Sequence, residues 1–127
     1  MAYFADLSKY AYHTFPRRDD LVNVGWLDLD QPFATGTVDQ RIVRRIGELC
    51  KVPVNQTRGF HACSMCSECP VREVIGNESV ALGSAEIHVS GKGKTYSCPT
   101  LIYHYIVKHE YLPPQEFLDA VSQMYAT

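Results

Sequence analysis

The sequence predicts an α+β domain: a small antiparallel sheet, about three helices and a metal-binding loop. Three observations carry this. Segments with two-residue apolar alternation cluster in the first and middle parts of the chain, and segments with three- and four-residue spacing stand apart from them, so strands and helices are segregated rather than alternating as parallel units. Cysteine and histidine crowd into His61-Ala-Cys63-Ser-Met-Cys66-Ser-Glu-Cys69-Pro70. At 127 residues and 46% hydrophobic, the chain has apolar material for one core, and 1–127 is expected to form a single domain.

Tyr3 to Phe15 is rich in aromatic rings, which are costly to leave in water, and is expected to be a short strand and turn packed on the core. Pro16-Arg-Arg-Asp-Asp20 reads as a charged turn. Leu21 to Leu27 places Val22, Val24 and Trp26 on one face at period two, a strand with Trp26 inside, and Gly25 is where a bulge or close backbone approach is easiest. Asp28 to Gly36 is a loop. Thr37-Val-Asp-Gln40 has the form of a capping box, which predicts a helix from Val38 with Ile42, Ile46 and Leu49 inward; Arg41, Arg44, Arg45 and Glu48 face water. Pro53 ends it.

Val54 to Phe60 is an extended run pivoting at Gly59 into the metal loop. Val71 to Ile75 is a short strand closed by Gly76-Asn77. Ser79 to Val89 reads as one strand, with Ala85, Ile87 and Val89 on one face and Glu86 and His88 on the other; Lys94 to Cys98 returns antiparallel after the Gly91-Lys-Gly93 turn. Pro99 to His109 is apolar over most of its circumference and predicts a buried helix. Pro114 opens a last helix with Phe117, Leu118, Val121 and Met124 inward.

Net charge is −2 and the isoelectric point about 6.2, which argues against nucleic-acid binding. No apolar run approaches the length of a bilayer span, the longest being broken by His104 and His109, so no membrane partner is expected. Met1 to Asp6 lacks the basic and apolar regions of a signal peptide, and five cysteines are an odd number for a disulfide framework; the expectation is a cytoplasmic protein whose thiols serve a metal. Asn55-Gln-Thr57 and Asn77-Glu-Ser79 are then chance matches to the glycosylation sequon.

Cys63 and Cys66 are spaced so that one turn aims both sulfurs at one ion, and Cys66 and Cys69 are spaced alike. His61 offers an imidazole two residues earlier. His104, on the buried helix, is the best distant ligand, although a histidine there is more often a hydrogen-bonded core residue. The expected ligands are thus Cys63 and Cys66 with His61, His104 or Cys69, and the expected ion is zinc, which accepts sulfur and nitrogen together. An iron–sulfur cluster is the rival, since Cys63, Cys66 and Cys69 match three of the four cysteines of the bacterial ferredoxin run; the fourth is missing, with Cys98 as a remote substitute.

Gly93-Lys94-Thr95 imitates a phosphate-binding loop, but His88 stands where the first glycine belongs. Glu86 and His88 have the spacing of an acid–base pair, which solvated polar residues explain as well. No nucleophile with its base is identifiable from spacing. The functional expectation is a zinc-stabilised binding module with a protein partner, displaying Arg58, Phe60, Met65 and Glu68. The alternatives are a zinc-dependent enzyme with an open coordination place, using Glu86 or Glu68 as base, and a redox or sensor protein.

The chain also resembles a family of small bacterial proteins of unknown function. Phe4-Ala-Asp-Leu-Ser-Lys-Tyr10, Asn23-Val-Gly-Trp-Leu-Asp28, Arg58-Gly-Phe-His-Ala-Cys63 with Cys66 (a Gly-Phe-His-x-Cys-x-x-Cys motif), Leu82-Gly-Ser-Ala-Glu86, Leu101-Ile-Tyr-His-Tyr-Ile106 and Tyr111-Leu-Pro-Pro114 with Glu116-Phe117 carry the resemblance. It implies one complete domain with His61, Cys63, Cys66 and His104 inside family landmarks and Cys69 and Cys98 outside them. It implies no activity.

Overall fold

The computed structural model describes residues 3–10, 20–91 and 93–124. Among them the elements run β1 (Leu21–Asn23), α1 (Gln40–Cys50), β2 (Val71–Ile75), β3 (Glu78–Leu82), β4 (Glu86–Ser90), β5 (Thr95–Pro99), α2 (Ile102–His109) and α3 (Gln115–Met124). This is an α+β fold. Two small sheets replace the one expected: a three-stranded sheet ordered β1-β5-β4, and the β2-β3 hairpin. The β4-β5 pairing is antiparallel, as the alternation predicts, whereas β1 runs parallel to β5. The readings for residues 11–19, which include the end of the aromatic segment and most of the charged turn, and for Lys92 lie outside the described residues.

Tyr3 to Tyr10 forms no regular strand but lies along β1 and the residues after it, with Tyr10 N–H donating to Leu21 O at 3.0 Å, Leu7 N–H to Asn23 O and Phe4 N–H to Trp26 O at 3.2 Å. Tyr10, Leu21 and Trp26 make a satellite core, and Trp26 Nε1–H donates to Ser97 O at 2.9 Å. The strand expected over Leu21 to Leu27 stops at Asn23, because Gly25 turns left-handed at φ +82°. A Cβ on Gly25 would sit 2.9 Å from Ile102 Cδ1, so the backbone passes close over the start of α2 there.

Helix α1 begins two residues later than the capping-box reading places it. Asp39 is the N-cap, its Oδ1 accepting from Arg41 N–H at 2.8 Å, so a carboxylate satisfies the free donor instead of Thr37. Val43, Ile46 and Cys50 are buried, and Ile42 and Leu49 are half-buried beside them. The main core unites these with Val71, Ile75 and Leu82 of the hairpin, Ile87 and Val89 of β4, Tyr96 and Cys98 of β5, and the inner faces of α2 and α3. In α3, Phe117, Leu118 and Val121 face inward as expected, but Met124 is 40% exposed at the helix end.

The single strand expected over Ser79 to Val89 is two strands in different sheets. Gly83 breaks it, with φ +104° and a position where a Cβ would lie 2.6 Å from His61 O. His61 N–H donates to Gly83 O at 2.9 Å, which seats the entrance of the cysteine loop against the break. The polar face of β4 is also covered. Glu86 is 3% exposed and accepts from Tyr10 O–H, Asn55 Nδ2–H and Ser97 Oγ–H, with His88 Nε2 at 3.2 Å. Burial opposes its ionisation, but the bonds from His88, Asn55, Tyr10 and Ser97 outweigh it and hold the carboxyl below its ordinary range.

Candidate metal centre

The cysteine loop folds back on itself within a few residues. Cys63 O accepts from Ser67 N–H at 2.7 Å and Cys66 N–H at 3.4 Å, while Cys63 N–H donates to Glu68 O at 3.1 Å; Ser67 takes a left-handed φ of +60° to close the turn. That turn gives Cys63-x2-Cys66 its convergent sulfurs. Cys63 is fully buried against the core, and Cys66 lies above it on the exposed side.

Helix α2 supplies the other half. Leu101, Ile102, Tyr105 and Ile106 bury its apolar face, which fixes its rotation and points His104, 1% exposed, toward the loop. His104 Nε2 lies 3.4 Å from Cys66 Sγ, and its Nδ1 lies 2.7 Å from Glu73 Oε2 on β2. His109, the last residue of α2, places Nε2 3.5 Å from Cys63 Sγ. The two imidazoles meet edge to face, with centroids 5.0 Å apart at 74°. One ligand atom from each of Cys63, Cys66, His104 and His109 falls within 4.8 Å of all the others. These residues lie close enough together to bind one metal ion.

Burial pushes the Cys63 thiol up, while the N–H groups of Met65 and Cys66 favour its thiolate. Burial, and then the neighbouring His104, keeps the His109 imidazole below its usual pKa and hence neutral, the form a metal requires. The Tyr105 hydroxyl is buried and without a hydrogen-bond partner in the structure; burial and then the charges of Cys63, Asp28 and Cys66 raise its pKa.

Of the five residues expected as ligands, Cys63, Cys66 and His104 are brought together. His61 and Cys69 fall outside the group. The His61 backbone is engaged with Gly83, and Cys69 is exposed with Sγ 3.6 Å from Phe60 O. Cys98, the remote candidate for a cluster, is fully buried in the main core, where burial raises its pKa far above the usual range; Cys50, also buried, is pushed up to about 12. His109 is the residue that sequence reasoning did not place at this centre. Its signal was present: Cys63-x2-Cys66 followed by His104-x4-His109 matches a Cys2His2 ligand spacing.

One family model matches the chain from residue 2 to residue 122. The chain belongs to the DUF7919 family. Its description is a domain of unknown function. No curated protein and no solved structure matches the chain. For this DUF7919 domain, function must therefore be argued from its own side chains.

Proposed function

We propose that the protein is a zinc-binding domain, with Cys63, Cys66, His104 and His109 as ligands, whose ion is structural and which acts in the cytoplasm as a module that binds a protein partner. One observation carries the zinc reading. With Zn–S bonds of about 2.3 Å and Zn–N bonds of about 2.0–2.1 Å, a tetrahedral site has sulfur–nitrogen edges of about 3.5 Å. Two of the four such edges here, Cys66 Sγ to His104 Nε2 and Cys63 Sγ to His109 Nε2, are 3.4 and 3.5 Å. Four protein ligands leave no coordination place for water, which favours a structural ion over a catalytic one. A group drawn around one point also suits a single ion better than an iron–sulfur cluster, whose ligands are mainly thiolates on separate irons.

Glu73 supports the same reading. A carboxylate on the far nitrogen of a ligating imidazole fixes its tautomer and makes it a better donor, and Glu73 holds that position toward His104. The ion would tie the loop to α2 and stiffen the chain around Phe60 and Val74, which are 43% and 68% exposed and are apolar surface for a partner. All five thiols are free, which agrees with a reducing compartment.

Elemental analysis of protein purified from zinc-supplemented medium tests this directly. One equivalent of zinc is expected, lost in Cys66→Ser and His109→Asn, and a folded metal-free protein or one containing iron would overturn the reading. Cobalt(II) substitution tests whether the site is closed: its tetrahedral absorption is expected to be unmoved by azide. A spectrum that azide shifts would mean an open place and would favour a catalytic ion.

A further inference from the structure

A second site shares no residue with the metal centre. Near the start of the chain a cavity of about 200 Å³ is lined by Tyr3, Phe4, Leu27, Pro32 and Phe33 around Asp6. Rings and apolar side chains make its walls, and the one formal charge is a carboxylate. Asp6 is held in position, Oδ1 accepting from Gly25 N–H at 3.0 Å and Oδ2 from the Tyr111 hydroxyl at 2.8 Å. Both donors are neutral, so these two bonds orient the charge without cancelling it. Among the described residues no lysine, arginine or histidine pairs with it.

We infer that this cavity binds a methylated ammonium group, with Tyr3, Phe4 and Phe33 facing the cation and Asp6 as its counter-charge. Aromatic faces carry negative potential and attract a cation placed over them, more so as it loses water. The volume is below the roughly 300–1,000 Å³ of pockets for drug-sized ligands, which suits a single head group. Alkylation of the nitrogen follows from the hydrogen-bond inventory. A quaternary ammonium spreads its charge over methyl groups and needs only proximity to the rings and the carboxylate, whereas a primary ammonium or a guanidinium presents about three to five directed N–H donors and the Gly25 and Tyr111 bonds leave each Asp6 oxygen a single lone-pair site for them.

The sole tryptophan reports on the site, because the Phe4 ring meets Trp26 edge to face at 5.4 Å. Trp26 emission is followed while the full chain is titrated with choline, with a peptide bearing trimethyl-lysine, and with 3,3-dimethyl-1-butanol, the uncharged isostere of choline. Calorimetry runs in parallel. Saturable binding of a cation, with the isostere at least about tenfold weaker, is expected; tighter binding of choline than of the peptide would identify a free metabolite as the source, and the reverse a modified protein. Tyr3→Leu and Phe33→Leu keep apolar volume but remove the ring, and each is expected to weaken binding by a factor of about 2 to 30. Equal binding of cation and isostere overturns the inference, as does the absence of binding by calorimetry. Should Phe33→Leu fail to fold, Tyr3→Leu at the exposed rim still decides: undiminished affinity in that folded variant rules out the ring as a cation contact.

Discussion

Replacing Glu73 with glutamine separates a metal centre from a merely hydrogen-bonded histidine. Glu73 lies 2.7 Å from His104 Nδ1, and the two side chains are only 11% and 1% exposed, so their interaction is weakly screened by water. Glutamine keeps an acceptor oxygen and the side-chain length but removes the charge. If His104 ligates through Nε2, that charge strengthens the donor, and its loss is expected to weaken metal affinity by about tenfold; Glu73→Ala, which also frees the ring to rotate, is expected to approach about a hundredfold. These factors correspond to about 1.4 and 2.8 kcal/mol. Competition against a chromophoric zinc chelator measures both, and thermal melting of the zinc-saturated proteins controls for general destabilisation. Affinities for both variants within twofold of the parent chain would refute the reasoning, since the carboxylate would then be indifferent to the ion.

Three further outcomes test other parts of the structure. His61→Ala and Cys69→Ser are expected to retain a full equivalent of zinc by elemental analysis, and loss of the ion in either would put that residue back among the ligands. Gly83→Ala forces a side chain into a left-handed backbone and against His61 O; a loss of about 1–3 kcal/mol is expected in denaturant titration, with weaker zinc binding because the loop entrance moves. Glu86 has a folded pKa below its unfolded one, so its contribution to stability is present at neutral pH and is lost as pH falls from the ordinary carboxylate range through the depressed folded value. Glu86→Gln is expected to lower stability at pH 7 and to flatten the decline below about pH 4.5; parallel pH profiles for the two proteins would contradict this.

The convergent pair Cys63 and Cys66 was legible because the turn joining them is local. His104 was legible as a candidate because an apolar helix predicts which side chains border its buried face. His109 was passed over because five residues further along a helix is about 140° further round it, although the His104-x4-His109 spacing was there to be read. What makes its position useful is the end of α2, where Glu110 turns left-handed at φ 57° and Tyr111 N–H returns to Tyr105 O. His61 was expected for the converse reason: it is near the cysteines along the chain, yet it lies outside the group of four that converge. Glu86 looked like a solvated strand residue because alternation identifies two faces and not what covers each. Tyr10 and Asn55, both distant along the chain, cover this one.

Composition, period and spacing, all properties of neighbours along the chain, were enough to establish the α+β class, most of the helices and strands, and the presence of a Cys-x2-Cys turn. The partners of that turn were decided elsewhere. Packing of the apolar face of α2 sets the rotation of one helix, and that rotation brings His104 to Cys66 while the helix end sets His109 beside Cys63 and Glu73 approaches from a hairpin. Such a meeting depends on how separate elements share one core, and no local pattern encodes it.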